Sequence, residues 1–253
     1  MNTDKVVLGG RLGRLLPIFK EDVISITGCG GKTTMLYELA KELRGESVLL
    51  TTTTKMQYPK EGQVDYVYTL KQKEELLKAD LRKGRYFIAG RDNEQKKCYS
   101  LPESDLKALV EKFPLTLIEA DGSRGLPLKG YLDTEPCTPD YATLTIGILP
   151  VNSLGKPVNE KVVLRVKEFC DMTNMGMGDV IMPHHIGRWI ADERGLFKNS
   201  FHRRVLYFNQ IESEETRAAA ISIIEQIPDK YLQTLDRIIM GSLHLGEYEV
   251  FVR

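Results

Sequence analysis

Charge of one sign is the first thing missing: 35 Lys and Arg balance 35 Asp and Glu across 253 residues. A protein built to coat nucleic acid or an anionic membrane carries a basic excess, so the balance excludes such a general footprint while leaving room for a local basic pocket. Cysteine is scarce. Cys29, Cys98, Cys137 and Cys170 lie far apart, without C-x-x-C or zinc-ligand spacing, which reads as free, reduced thiols of a cytoplasmic protein. Long apolar runs are absent, as is a signal-peptide pattern, so no membrane partner is expected. Internal repeats and low-complexity linkers are absent too. Histidine is rare, and the one adjacent pair, His184-His185, would point about 100° apart on a helix; it reads as a solvated helix start. Apolar residues are not lacking. At 42% they exclude disorder and supply a core, for one domain expected to span residues 1–253.

What is present is best read from Val23-Ile24-Ser25-Ile26-Thr27-Gly28-Cys29-Gly30-Gly31-Lys32-Thr33-Thr34. A β-branched apolar run enters a glycine loop, and a helical pattern (Met35, Leu36, Leu39, Ala40, Leu43) follows. Strand, glycine loop and helix in that order make a phosphate-binding loop. The glycines let backbone N–H groups turn inward as an anion nest, and the helix start adds unpaired donors and the positive end of its dipole. Gly28 through Thr34 would cradle the phosphates, Lys32 would reach the β- and γ-phosphates, and the Thr33 hydroxyl would sit on Mg²⁺. The common spacing G-x-x-x-x-G-K-[ST] puts glycine where Ile26 stands. The loop resembles the T-G-x-x-G-K-T loop of Mur-type ligases more than that of small GTPases.

Leu115-Thr116-Leu117-Ile118-Glu119-Ala120-Asp121-Gly122-Ser123 is the second signal. An apolar strand ends in two acids and a glycine turn, where phosphate-loop proteins place a residue that holds Mg²⁺. Glu119 and Asp121 fall on one side of a continuing strand, and two carboxylates at a strand tip call for a cation to share. Downstream, Lys129 or Arg124 would support phosphoryl charge in the transition state, a surface ion pair being the alternative for each.

Further readings follow the chain. Residues 5–19 form an amphipathic lead-in ended by Pro17. Ser47–Thr52 is a strand completing a β-α-β unit, which implies a parallel sheet. It runs into Thr53-Thr54-Lys55, either plain β-propensity or a ligand edge where Thr53 holds metal water beside Thr52 and Lys55. Residues 64–112 alternate strands and helices, with a hairpin turn at 91–97. Thr143–Val151, Arg204–Asn209, Arg237–Met240 and Tyr248–Val252 read as strands, and Val162–Cys170, Pro183–Arg194 and Glu214–Ile227 as helices. Residues 152–203 are expected to be a small helical insertion over the ligand mouth, with its methionines as adaptable packing and Trp189 as core. Asn209-Gln210-Ile211-Glu212 ends a strand where GTP-binding phosphate-loop proteins carry N-K-x-D. Asn209 is therefore either a base contact or part of an ordinary strand-to-helix turn capped by Ser213.

The segments G-C-G-G-K-T-T, T-T-T-T-K, E-A-D-G-S-R-G-L-P-L-K, L-G-K-P (154–157), G-L-F-K (195–198) and F-N-Q (208–210) occur in this order. Together they resemble the YqeC family over nearly the whole chain. That resemblance implies an accessory protein acting on the selenium-containing molybdenum cofactor centre of molybdenum hydroxylases, so a hydroxylase or its cofactor is the implied partner. The expected fold is α/β, a three-layer P-loop NTPase-like architecture with a mostly parallel sheet. The expected cofactors are a nucleoside triphosphate (ATP or GTP) and Mg²⁺. Three functions follow: an NTP-hydrolysing accessory protein, a Mur-like ligase or small-molecule kinase, and a non-catalytic nucleotide-dependent carrier.

Overall fold

The computed structural model describes residues 11–43, 45–92 and 97–251. The first half of the lead-in, the tip of the 91–97 turn and Val252 fall outside them. After a short α1 (Arg11–Leu15) the chain enters β1 (Asp22–Gly28), α2 (Lys32–Glu42) and β2 (Ser47–Thr52). The β-α-β unit is as expected, although α2 ends at Glu42 with Leu43 as its C-cap, short of Gly45. There follow β3 (Met56–Gln57), β4 (Tyr66–Thr69), α3 (Lys73–Lys78), β5 (Gly84–Asp92), β6 (Lys97–Tyr99), α4 (Glu103–Lys112) and β7 (Leu115–Glu119). β5 and β6 pair antiparallel, with Gly90 opposite Tyr99, which is the hairpin read from the polar turn. The second half holds β8 (Leu128–Lys129), β9 (Leu144–Pro150), β10 (Val163–Leu164), α5 (Val166–Thr173), α6 (Pro183–Ala191), β11 (Arg203–Asn209), α7 (Glu214–Ile224), α8 (Asp229–Leu232), β12 (Arg237–Ser242) and β13 (Glu247–Val250).

Among the described residues the main sheet runs β13-β12-β11-β9-β1-β7-β2-β5-β6-β3, with β4 also on β5. From β4 to β12 its neighbours are parallel, and antiparallel pairs are confined to the edges. This is the mostly parallel α/β sheet expected. β1 sits at its centre, between two strands that come much later in the chain. The chain builds one wing through β2, β5 and β7, then crosses β1 to build the other from β9. That reversal leaves a crevice at the carboxyl end of β1, where open α/β sheets bind ligands.

Period-2 patterning makes the three layers. Ile24 and Ile26 of β1, Val205 and Tyr207 of β11 and Ile239 of β12 pack with Met35, Leu36 and Leu39 of α2 on one face. The alternate residues face the other way. Leu206, Phe208 and Met240 pack with Phe169, Trp189 and Ile223 from α5, α6 and α7, and Val23, Leu49 and Ile118 with Leu76, Leu106 and Leu109 of α3 and α4. Each such buried side chain contributes about 1.5–3 kcal/mol, and a one-residue register slip would exchange the faces.

One local reading is corrected. Val162–Cys170 is not continuous helix: Val163–Leu164 is β10, paired with Leu128–Lys129, and Arg165 is left-handed, with φ 58°, before α5 starts. β-branched Val162 and Val163 follow strand preference once β8 offers them a partner. The helices at 183–194 and 214–227 end three residues early, at Ala191 and Ile224.

Candidate functional site

β1 delivers its last residue, Gly28, to the crevice, and the loop then has to turn within the sheet's thickness. Gly28 holds φ 95° and Gly31 φ 141°, both reserved in practice for glycine. A Cβ on Gly28 would lie 2.1 Å from the carbonyl oxygen of Ile148, and one on Gly31 2.4 Å from Asn209 Nδ2. The Cys29 N–H donates to Ile148 O at 2.8 Å, so that amide ties the loop to β9. Its buried thiol is pushed up to about 12, chiefly by burial, which keeps it protonated. The first bond inside α2 runs from Met35 N to Gly31 O, and no side chain caps the helix. The N–H groups of Lys32, Thr33 and Thr34 therefore have no partner within the helix, and all three residues line the cleft.

Glu119, the last residue of β7, is buried beside the loop because β1 and β7 pair with Ile26 opposite Glu119. Its Oε2 accepts from Thr33 Oγ1 at 2.7 Å. Burial raises the Glu119 carboxyl above its usual range, against the lowering pull of Lys32 and the Thr33 hydroxyl, with Asp121 adding to the rise. Lys32 Nζ donates to Gly28 O at 2.6 Å and to Ser123 Oγ at 3.3 Å. A hydroxyl and a carboxylate in contact form a hard oxygen donor pair of the kind Mg²⁺ takes, so the residues present fit that ion. The glycine cradle and open helix amides likewise fit a phosphate chain.

Asp121 and Lys129 take a different place. Asp121 Oδ2 accepts the Gly28 N–H at 3.0 Å, and its Oδ1 is in an ion pair with Lys129 Nζ, both side chains being fully buried. The ammonium also donates to Gly122 O at 2.9 Å and to Glu135 Oε2 at 3.1 Å. Arg165 closes the chain with both guanidinium nitrogens on Glu135, one at 2.9 Å. The Lys129 carbonyl accepts the Trp189 indole N–H at 2.8 Å. These contacts form a bracket that runs from behind the loop to the cleft wall: neither Asp121 nor Lys129 lines the cleft, whereas Glu135, Arg165 and Arg124 do. Sequence reasoning did not single out Glu135, Arg165 or Ser123. The E-A-D-G-S-R-G motif contained Ser123, but no local pattern pointed to the other two.

The threonine run splits as well. Thr52 Oγ1 donates to Glu119 O at 2.8 Å, tying β2 to the β7 tip, and Thr53 Oγ1 donates to Cys137 O at 2.7 Å, on the segment between β8 and β9. Lys55 is exposed on the cleft wall. Asn209 stands across the loop: its Nδ2 donates to Gly30 O at 2.7 Å and its Oδ1 accepts from Leu243 N at 3.1 Å. Ser213 caps α7 by accepting from Thr216 N at 3.2 Å. Together the strand ends frame an open cleft of about 1620 Å³. Of the 152–203 segment, Leu164 and Arg165 reach it.

Comparison with known proteins gives this arrangement a family. The model of the YqeC protein family matches residues 24–167, more than half of the chain. The chain belongs to the YqeC family. It is also 32% identical over 213 residues to the "Uncharacterized protein YqeC" of Escherichia coli (strain K12), covering 81% of this chain and 82% of that relative. No solved structure matches. The stretch matched by the YqeC model contains β1 from Ile24 onward, the glycine loop, Glu119 and the bracket from Asp121 to Arg165, while Asn209 lies beyond it. Among the described residues no helix is long and apolar enough to cross a membrane.

Proposed function

We propose that this YqeC-family protein binds and hydrolyses a nucleoside triphosphate with Mg²⁺, as an accessory in maturation of the selenium-containing molybdenum cofactor centre of molybdenum hydroxylases. The observation that carries the nucleotide reading is the contact between Thr33 and Glu119 directly beneath the open amides at the start of α2. The molybdenum and selenium part rests on the family resemblance. The amides of Lys32, Thr33 and Thr34, with the positive end of the helix dipole, hold the β/γ-phosphate oxygens. Lys32 swings from the Gly28 carbonyl onto that charge. Thr33 and Glu119 hold the metal, which when bound neutralises charge on the phosphates. Water attacks the terminal phosphorus as its anhydride bond to the β-phosphate breaks, and Lys32 faces the charge that builds there.

The test is incubation with ATP, GTP and CTP plus Mg²⁺, using Lys32→Ala as the control. The wild-type protein is expected to release phosphate without an added acceptor. Lys32→Ala is expected to lose about tenfold or more in nucleotide affinity, the equivalent of one charge-assisted hydrogen bond at about 1.4 kcal/mol. Turnover only with an added metabolite would move the assignment to a ligase or kinase, and tight binding without turnover to a carrier. No binding at millimolar nucleotide would overturn it altogether.

A further inference from the structure

The cleft is larger than its phosphate loop needs. Sites for a single small ligand run to about 300–1,000 Å³, against about 1620 Å³ here. Its two ends are also chemically unlike. On one side of the loop lie Asn209, Glu212 and Leu243, from the ends of β11 and β12. On the other side the wall carries Arg124, from the loop after β7, and Lys55, Gln57 and Lys97, beyond β2 in the sheet order.

Those cations are brought together by specific packing. Gln57 and Lys97 are cross-strand partners in the β3–β6 ribbon, so their side chains share a face, and Lys55 immediately precedes that ribbon. The loop carrying Lys55 is fastened to the loop carrying Arg124: Thr53 N donates to Glu119 O at 3.1 Å, and a Cβ on Gly122 would meet Thr54 Oγ1 at 3.4 Å. Arg124 is itself held left-handed at φ 52°, ahead of Gly125 at φ 80°, a backbone state that is uncommon for a non-glycine residue. Among the described residues Lys55, Lys97 and Arg124 have no ion-pair or hydrogen-bond partner for their charged ends. By contrast Arg165, farther round the same wall, is neutralised by Glu135. Three unpaired like charges on one wall repel one another until an anion is shared among them.

We infer that this wall is a second binding site, for a small ligand carrying a phosphate-like dianionic group, lying beside the terminal-phosphate end of the nucleotide. Arg124 supplies a planar fork for two of its oxygens, and Lys55 and Lys97 supply point charges. The inference rests on the nucleotide reading for its account of what occupies the loop, but the site is tested separately from it.

The probe is radiolabelled inorganic phosphate in equilibrium dialysis at fixed ionic strength, applied to the full chain. Wild-type protein is expected to show two classes of phosphate site. Lys32→Ala removes the loop class and keeps the other. The double variant Lys55→Ala/Arg124→Ala keeps the loop class and weakens the other by about tenfold or more. A control pair of exposed lysines away from the cleft, Lys107→Ala/Lys230→Ala, leaves both classes unchanged. Both residues of the test pair are exposed, so its melting temperature should match wild type. A phosphate class lost in the Lys55/Arg124 variant and retained in Lys32→Ala establishes the second site, whatever becomes of the loop class. If no class responds to the Lys55/Arg124 substitutions, or the control pair weakens it equally, the second site is overturned. Insensitivity of every class to Lys32→Ala would count against the nucleotide reading alone.

Discussion

Two groups of polar and charged residues meet at Gly28, and they are used in opposite ways. On the cleft side stand Lys32, Thr33 and Glu119. Lys32 touches a carbonyl and a hydroxyl, and the amides above it have no helical acceptor. Behind the loop stand Asp121 and Lys129, continued to the cleft wall by Glu135 and Arg165, each joined to the next by an ion pair. The first group keeps donors and acceptors in reserve for something outside the protein. The second has satisfied its own, and so fixes the position of the backbone that the first group depends on. Charge alone does not mark a binding residue at this site. An unsatisfied valence facing the cleft does.

The largest effect is expected at Lys129. Replacing it with methionine keeps the bulk but leaves Asp121 and Glu135 facing each other without their cation. Removing one member of a buried ion pair costs about 3–5 kcal/mol, which for a chain of this size lowers the melting temperature by on the order of 10 °C. Lys32→Ala strands the Gly28 carbonyl, which costs about 1–3 kcal/mol, so it should lower the melting temperature of the nucleotide-free protein by less than Lys129→Met does while removing nucleotide affinity. Calorimetric melting of both variants decides it. Equal destabilisation by the two substitutions would erase the distinction between bracket and cleft.

The same distinction explains what could be read from the sequence. The loop was legible because its signal is local: three glycines, Lys32 and Thr33 act within a few residues of one strand end. Glu119 was legible for the same reason, since a strand tip in a parallel sheet is already known to face the crevice. The bracket was not. Lys129 turns toward Asp121 because the Gly122–Leu126 turn folds the chain back and β8 pairs with β10, whereas Glu135 and Arg165 are 30 residues apart in the chain. β10 itself hid inside a helical pattern, because Val163 and Leu164 become strand only when Leu128 and Lys129 lie beside them. Asn209 is a third case. Its place at a strand end was readable, but its bond to Gly30 O spans 179 residues, and that contact adds a brace to the loop where sequence offered a base contact or a plain turn.

A smaller effect is expected from Asn209→Ala. It strands the Gly30 carbonyl and the Leu243 N–H, which costs about 1–3 kcal/mol, and it loosens the loop. If Asn209 works by bracing, affinity for ATP, GTP and CTP falls by the same factor. If it reads a base, the ratios among the three change while the melting temperature barely moves. Binding of all three nucleotides, measured beside thermal melting, separates the outcomes.

The finest contrast lies between two glutamates. Burial raises Glu119 above its usual 4.5. Burial pushes Glu135 the same way, but the Arg165 hydrogen bonds and the nearby Lys129 outweigh it and hold Glu135 below 4.5. The signs then oppose each other. A carboxyl raised by folding contributes stability that is complete below its unfolded value and is lost as pH rises through the folded one. A lowered carboxyl contributes stability that is complete above the unfolded value and is lost as pH falls through the folded one. In metal-free, nucleotide-free protein, Glu119→Gln should therefore gain on wild type as pH rises from 4.5 toward neutrality, its amide oxygen still accepting from Thr33. Glu135→Gln should be the less stable protein at neutral pH, and its deficit should shrink as pH falls below 4.5. Urea-denaturation midpoints across that range read both slopes. Parallel slopes for the two variants would mean that the cleft and the bracket hold their charge alike, and the division drawn at Gly28 would fail.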